Sequence, residues 1–398
     1  NLGGYVRSTT YKLTMRVLIS AESFLPRSNG VTNSVLRVSR YLKSQGHEVL
    51  IIASGDGPSR VEEIEIRRVP ALALKRIAQV DIPRVKVKTL IPILEDFKPD
   101  IIYLASPFLL GEQVRKAGIR CGIPVIANYQ TDVSGFIDFY GLNTAKTIVE
   151  KRLKKIHKGS TLTLAPSTES ISFLRSLGIE NVRHWGRGVD LEQFNPAWRS
   201  EKLRKYWGAD SDTLIIGFVG RLAPEKQVHK LASIGDVGLL AGKQILQVIV
   251  GEGPTRETLE RSLPKAVFTG HLNGKELSKA VASMDLLITT GENETFCQVI
   301  QEAMAAGLAV IAPNAGGPKD LINDGVDGFL YEPGENLDIR KKVLRAIFDR
   351  EQLEKMSLAA YSRVQGKTWD QVCHQLLLIF SGVIDAGRLA NEEKVQAS

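Results

Sequence analysis

TTGENETFCQVIQEAMAAGLAVIAPNAGGP, residues 289–318, is the stretch from which the rest of the chain can be read. It runs as strand end, polar loop, helix, strand and glycine loop. Thr295 or Asn293 is placed to cap a helix, and residues 296–306 hold good helix formers with no proline. Gly307 suits the position just past a helix, where φ turns positive. LAVIAP, 308–313, is a short apolar run of the kind buried in a parallel sheet. A helix leading into a buried strand is the repeating unit of a doubly wound α/β fold.

The same stretch carries chemistry. Thr295, Gln298 and Glu302 are spaced three and four apart, so a helix places them on one face. Glu294 precedes that helix and can be aimed independently. The helix N-terminus between the two acids offers free N–H groups and a partial positive charge, which favour phosphate. Gly316-Gly317-Pro318 follows as a flexible loop. An ionised carboxylate accepts hydrogen bonds from sugar hydroxyls. Two such groups beside an anion pocket suit a sugar joined to a diphosphate. Two acids with seven residues between them are by themselves common on the surface of any capped helix.

The full string resembles the signature of the retaining glycosyltransferases of the GT-B class, family 4. The form ETFCQVIQEAMAAG followed by AGGPKDLI is most similar to GDP-mannose-dependent α-mannosyltransferases of actinobacterial type that act on glycolipids. The resemblance extends from Met15 to about Ile384, with several motifs in the family's order. It implies an α/β chain with the GT-B fold: two doubly wound Rossmann-like domains facing a cleft. The expected division is an acceptor-side domain at 15–196, joined by 368–398 crossing back to brace it. A nucleotide-sugar domain follows at 197–367.

Bulk properties agree with two domains. The chain has 398 residues, 43% apolar and 24% charged, enough for ordinary cores. Cys121, Cys297 and Cys373 are widely spaced, which argues neither a disulfide framework nor a zinc site and points to a reducing compartment. No apolar run approaches bilayer length, and the first residues lack an apolar leader. The chain is therefore read as cytoplasmic. Residues 1–196 hold 28 Lys/Arg and 18 Asp/Glu, and the remainder holds 24 and 26. A basic half without a nucleic-acid module suggests an anionic membrane surface as partner, with the protein peripheral on the inner membrane face. A solvated basic face accounts for the same count.

In chain order, MRVLISAE (15–22) reads as a first strand, a helix closes at Gly46, and HEVLIIA (47–53) is a second strand. Between them lie Asn29, which tolerates positive φ, and Gly30, which lets a ligand approach the backbone. In 71–94, basic and aliphatic residues interleave (Lys75, Arg76, Arg84, Lys86, Lys88), as on a lipid headgroup layer or an edge helix. Gln130, Thr131 and Asp132 stand at a strand's carboxyl end, where open α/β sheets bind ligands. The resemblance puts Gln130 and Asp132 near the transferred sugar; many family members carry histidine where this chain has Gln130. His157 lies on a basic helix, as a cleft contact or one polar residue on a solvated face. Asp210 and Asp212 form a D-x-D in a turn before a strand, so no metal site is assigned.

TLIIGFVGR (213–221) opens the second domain. Arg221 and Lys226 in RLAPEK match the family's diphosphate-binding pair; Arg gives a planar fork and Lys a point charge. Gly251 and Gly253 permit close approach of a nucleotide. A long helical region is expected from Ile339 to Gln365, then an amphipathic helix near 367–384.

The resemblance therefore assigns Arg221, Lys226, Glu294 and Glu302 to catalysis. The donor site is Gly30, Gln130, Asp132, Arg221, Lys226, Gly251, Gly253, Glu294, Thr295, Phe296 and Glu302. Arg221, Lys226 and the helix start near Thr295 and Phe296 hold the diphosphate, Glu294 binds sugar hydroxyls, and Glu302 binds the ribose. No cofactor is needed beyond the nucleotide sugar, with GDP-mannose favoured, and the acceptor is a glycolipid. A UDP-sugar transferase of the same family is the nearest alternative. A glycosidase using the two acids would not need the phosphate apparatus. An epimerase would act on donor alone, and a binding protein would have no turnover to lose.

Overall fold

The computed structural model of the chain describes residues 14–27, 29–74, 80–131 and 143–396. Two parallel sheets dominate it. In the first, β1 (Arg16–Ala21), β2 (Glu48–Ser54), β3 (Arg60–Val61), β4 (Ile64–Val69), β7 (Ile101–Ala105), β8 (Val125–Asn128), β9 (Leu162–Ala165) and β10 (Val182–His184) lie in the order β10-β9-β8-β7-β1-β2-β4-β3. Only β3 runs antiparallel to its neighbour. In the second, β11 (Leu214–Val219), β12 (Ile245–Val250), β13 (Val267–Gly270), β14 (Leu286–Ile288), β15 (Ala309–Pro313) and β16 (Gly328–Tyr331) lie in the order β13-β12-β11-β14-β15-β16, all parallel. A short antiparallel hairpin joins β5 (Ala71–Leu74) to β6 (Val80–Pro83).

Each sheet reverses its strand order beside its first strand, between β1 and β7 and between β11 and β14. Ligands of doubly wound sheets bind at such switch points, outside the carboxyl ends of the strands. The apolar runs explain the sheets: β7, β8, β9 and β15 are buried along their whole length, as strands covered by helices on both faces must be.

The final helix, Trp369–Gln396, belongs to the core of the first sheet although it follows the second in sequence. Val372, Cys373, Leu376, Ile379, Phe380 and Ile384 form its buried stripe. Trp185 Nε1 donates to the Val372 carbonyl at 3.0 Å, and the Tyr103 and Phe380 rings lie 5.7 Å apart. The two crossings touch: Val189 N donates to the Lys367 carbonyl at 2.8 Å. A side chain at Gly188 would collide with the Trp369 backbone. The stretch Trp369–Leu389 is long and apolar enough to span a membrane by length and composition, against the expectation that no run reaches that length. A third of its apolar window is buried, and the buried stripe packs in the core with β1 and β7.

Three further expectations need correction. The segment after β4 is the β5–β6 hairpin and a helix Val87–Phe97 with Pro92 inside it. Lys75 and Arg76 lie outside the described residues. The single helical region expected from Ile339 to Gln365 is two helices, Asn336–Phe348 and Arg350–Val364. They break at Asp349, whose side chain caps the second by accepting from Gln352 N. Asn29 is an N-cap with φ −151°, accepting from Val31 N and Thr32 N, so positive φ is not its role there.

Candidate active site

The second sheet's carboxyl ends gather the residues that the opening stretch singled out. Lys226 ends a short 3₁₀ turn, Pro224–Lys226, after β11, and Gln227 follows it with φ +48°. Its ammonium forms an ion pair with Glu294, which lies in the loop after β14. The Lys226 carbonyl accepts from Thr290 Oγ1 at 2.5 Å, tying the two loops together. Burial alone would lower the Lys226 pKa, but the Glu294 carboxylate reverses this and the net shift is upward. The ammonium is therefore fully charged at neutral pH. It has three N–H donors, so one can hold Glu294 while others meet a phosphate oxygen. Arg221 stands at the end of β11 with its side chain more than half exposed and its guanidinium 3.6 Å from Glu225.

The helix of the opening stretch starts later than expected. It spans Gln298–Ala305, preceded by Cys297 with φ +69°. Thr295 and Phe296 lie in the loop before it, and Thr295 is no cap: its hydroxyl donates to the Gln130 carbonyl at 2.8 Å. That bond crosses from the second sheet's loops to the first's. Gly307 does end the helix region, with φ +83°. The glycine loop is a floor for these residues. Gly317 N donates to the Glu294 carbonyl at 2.7 Å. Gly316, at φ +60°, lies where a side chain would strike that same carbonyl, and one at Gly317 would strike the Phe296 backbone. These two glycines thus set the height of Glu294 and Phe296 above β15.

Glu302 sits half-buried on the helix, three residues from its end. Burial pushes its carboxyl up to about 7, with Arg187 opposing the shift. A group poised there changes its hydrogen-bonding character across physiological pH.

The first sheet supplies the opposite wall. Gly30 is the first residue of the helix Gly30–Ser44 after β1, and its carbonyl accepts from Arg187. Gln130 follows β8, and its Oε1 accepts from Arg187 Nη2 at 3.1 Å. Asp132 lies outside the described residues. Arg187 was not singled out by motif reading, because it sits between Gly186 and Gly188 in a loop whose glycines drew the attention. The signal available was a lone cation in the run HWGRGVD (184–190).

Other expected contacts resolve differently. Gly251 and Gly253 pack against backbone of their own domain: a side chain at Gly251 would strike the Gly220 carbonyl, and one at Gly253 the Leu222 carbonyl. Their first duty is to let the loops after β11 and β12 touch. His157 is buried behind the wall, with Nδ1 3.2 Å from Thr163 Oγ1 and its ring edge-on to Tyr129. Burial pushes its imidazole down to about 4, so it is neutral and not a cleft contact. Asp210 spends its Oδ1 on Asp212 N, Thr213 N and the Thr213 hydroxyl, which makes it a turn device before β11.

Direct ties bring the two walls together beyond Thr295 and Gln130. Thr168 Oγ1 donates to Asp320 at 2.6 Å, and Gly316 N donates to Glu169 at 2.8 Å. Charged groups on two walls that meet through these few bonds suit transfer between two substrates held on opposite sides.

Comparison with known proteins places the chain in a family. Residues 28–193 match the model of Glycosyltransferase Family 4, and residues 199–363 that of Glycosyl transferases group 1. The chain is 46% identical to a GDP-mannose-dependent alpha-mannosyltransferase of Corynebacterium glutamicum, over 93% of this chain and 89% of that one. It is 43% identical to the protein of the same description from Mycolicibacterium smegmatis, over 93% and 98%. Among solved structures it is similar to a sucrose-phosphate synthase of Thermosynechococcus elongatus, with TM-score 0.77, 18% identity, and 94% and 100% of the two chains covered. That last likeness concerns the fold.

Proposed function

Since this chain belongs to glycosyltransferase family 4, we propose that it moves mannose from GDP-mannose, with retention of configuration, onto a glycolipid acceptor at a membrane face. The observation that carries the reading is the Lys226–Glu294 pair over the Gly316–Gly317 floor. It sets a charged ammonium and a sugar-binding carboxylate side by side at the second sheet's switch point. The relatives of 43–46% identity described above supply the donor.

In the proposed reaction Lys226 and Arg221 hold the diphosphate and stabilise the negative charge that grows as the sugar–phosphate bond breaks. The first N–H groups of the helix Gln298–Ala305 add to that field. Glu294 accepts from sugar hydroxyls and Glu302 from the ribose. The acceptor hydroxyl attacks from the face the phosphate leaves, and the departing phosphate oxygen takes its proton. Closure of the two walls excludes water from the donor.

The membrane reading rests on charge. The helix Asn143–Lys158 exposes Lys151, Lys154, Lys155 and Lys158, with Ile148 exposed one turn before. Such a face suits an anionic headgroup layer. Sedimentation with anionic vesicles, expected to weaken in Lys151→Glu/Lys154→Glu/Lys158→Glu and in salt, tests it; equal sedimentation of the variant with the vesicles would remove it. The donor is tested by thermal shift with GDP, UDP, ADP, GDP-mannose and UDP-glucose. Selective stabilisation by the uridine compounds would replace mannose by a UDP-sugar reading.

A further inference from the structure

Arg187 occupies the passage between the two lobes. The tripeptide Gly186-Arg187-Gly188 follows β10, where the chain leaves the first sheet. It is pinned from several sides. The Gly188 carbonyl accepts from Gln298 Nε2 at 2.9 Å, and a side chain on Gly188 would strike Trp369. A Cβ on Gly186 would lie 3.6 Å from the Phe296 ring. From this fixed base the Arg187 guanidinium donates to the Gly30 carbonyl, after β1, and to Gln130 Oε1, after β8. Burial pulls the Arg187 pKa down, and the Glu302 and Glu294 carboxylates oppose that shift; the bond from Gln298 is what ties its loop to the second lobe. Arg187 Nε, Gln130 Nε2 and Gln298 Oε1 are buried and meet no hydrogen-bond partner among the described residues. Buried polar atoms of this kind demand a partner.

We propose that Arg187 is a positioning residue of the transfer step: it holds the Gly30 carbonyl and the Gln130 side chain in register with Glu294 and Glu302, so that acceptor and sugar meet across the cleft. The proposal rests on the transferase reading above. A planar guanidinium suits it, because the two N–H groups of Nη2 point in fixed directions and serve both acceptors on one wall. Lysine would keep the charge and lose those fixed directions.

Because Arg187 acts between the walls, its loss should harm transfer more than donor binding. In Arg187→Ala, kcat is expected to fall about 100-fold, the scale of a misplaced reacting pair, while GDP affinity by calorimetry stays within about threefold of wild type. Arg187→Lys should recover only a small part of kcat. Arg187→Ala combined with Gln130→Ala should cost little more than the first alone, since contacting residues are non-additive. Unchanged kcat in Arg187→Ala overturns the proposal. So does a loss of GDP affinity equal to the loss of kcat, which would make Arg187 a donor-binding or purely structural residue. Full rescue by lysine would reduce it to a charge without geometry and overturn it likewise. Absence of GDP-mannose turnover in the wild type, by contrast, would defeat the transferase reading itself.

Discussion

The Lys226 ammonium rests on the Glu294 carboxylate, joining the loop after β11 to the loop after β14 across 68 residues of chain. The pair does two jobs that separate variants can split. Lys226→Ala removes the charge at the diphosphate and leaves Glu294 without its partner, so kcat should fall about 100- to 1,000-fold, as when one stabilising donor is lost. Glu294→Gln keeps the shape and a hydrogen-bond acceptor. It should raise KM for GDP-mannose more than it alters affinity for GDP, which lacks the sugar. Steady-state kinetics with GDP titration decides this; equal weakening of GDP and GDP-mannose would remove Glu294 from the sugar.

Glu302 predicts a pH dependence. Burial holds its carboxyl near 7, with Arg187 pulling it back. Above that value it is a carboxylate and accepts from a ribose hydroxyl; below it the added proton removes acceptor capacity. KM for the donor should therefore rise as pH falls from about 8 to about 6. Glu302→Gln should flatten that limb and show weaker donor binding at high pH only. A limb that persists in the glutamine variant would place the titration elsewhere.

The glycine floor is the next lever. At Gly317 any Cβ meets the Phe296 backbone, and nothing flexible can give way. Gly317→Ala should push the Glu294–Phe296 loop off its site, costing about 1–3 kcal/mol of stability and most of the donor-induced thermal shift. Gly307→Ala, at positive φ but with only the Pro196 ring near it, should lower the melting temperature without altering donor binding. Retained donor shift in Gly317→Ala would show that the loop adapts.

The parts of this fold legible in sequence are those written in local pattern. The strand LAVIAP and the Gly307 that closes the helix before it are set by apolar run and backbone conformation, both of which are local. The helix start was misplaced because tertiary contacts decide it. Thr295 has the chemistry of a cap, but its hydroxyl is spent on Gln130 in the other lobe, and Phe296 is held down by Gly317. The β5–β6 hairpin was hidden for a similar reason: ALAL and VDIP carry no alternation that favours strand over helix. Gly251 and Gly253 are expected to admit a nucleotide; the fold shows neighbouring backbone of Gly220 and Leu222 against them, a contact no local pattern signals. Arg187 escaped notice because its meaning lies in four residues from distant segments, Gly30, Gln130, Glu294 and Glu302. None of them is near it in sequence.

The returning helix makes a prediction about the whole molecule. Phe380 is fully buried between Tyr103 and the rest of the first sheet's core, yet it lies beyond the second lobe in sequence. Truncating it empties a core site that the sheet cannot easily refill, because β7 and β1 are held by their ladders on both sides. Phe380→Ala should cost about 3–5 kcal/mol by urea denaturation. Cys373 reports on the same packing. Burial pushes its thiol up to about 12, as it does that of Cys297, whereas Cys121 is only half-buried. In the native protein Cys121 should alkylate first, with Cys297 and Cys373 protected. In Phe380→Ala, labelling of Cys373 should rise while that of Cys297, in the other lobe, stays low. If both thiols open together, the two lobes unfold as one unit; if neither opens, the helix is held by contacts other than Phe380.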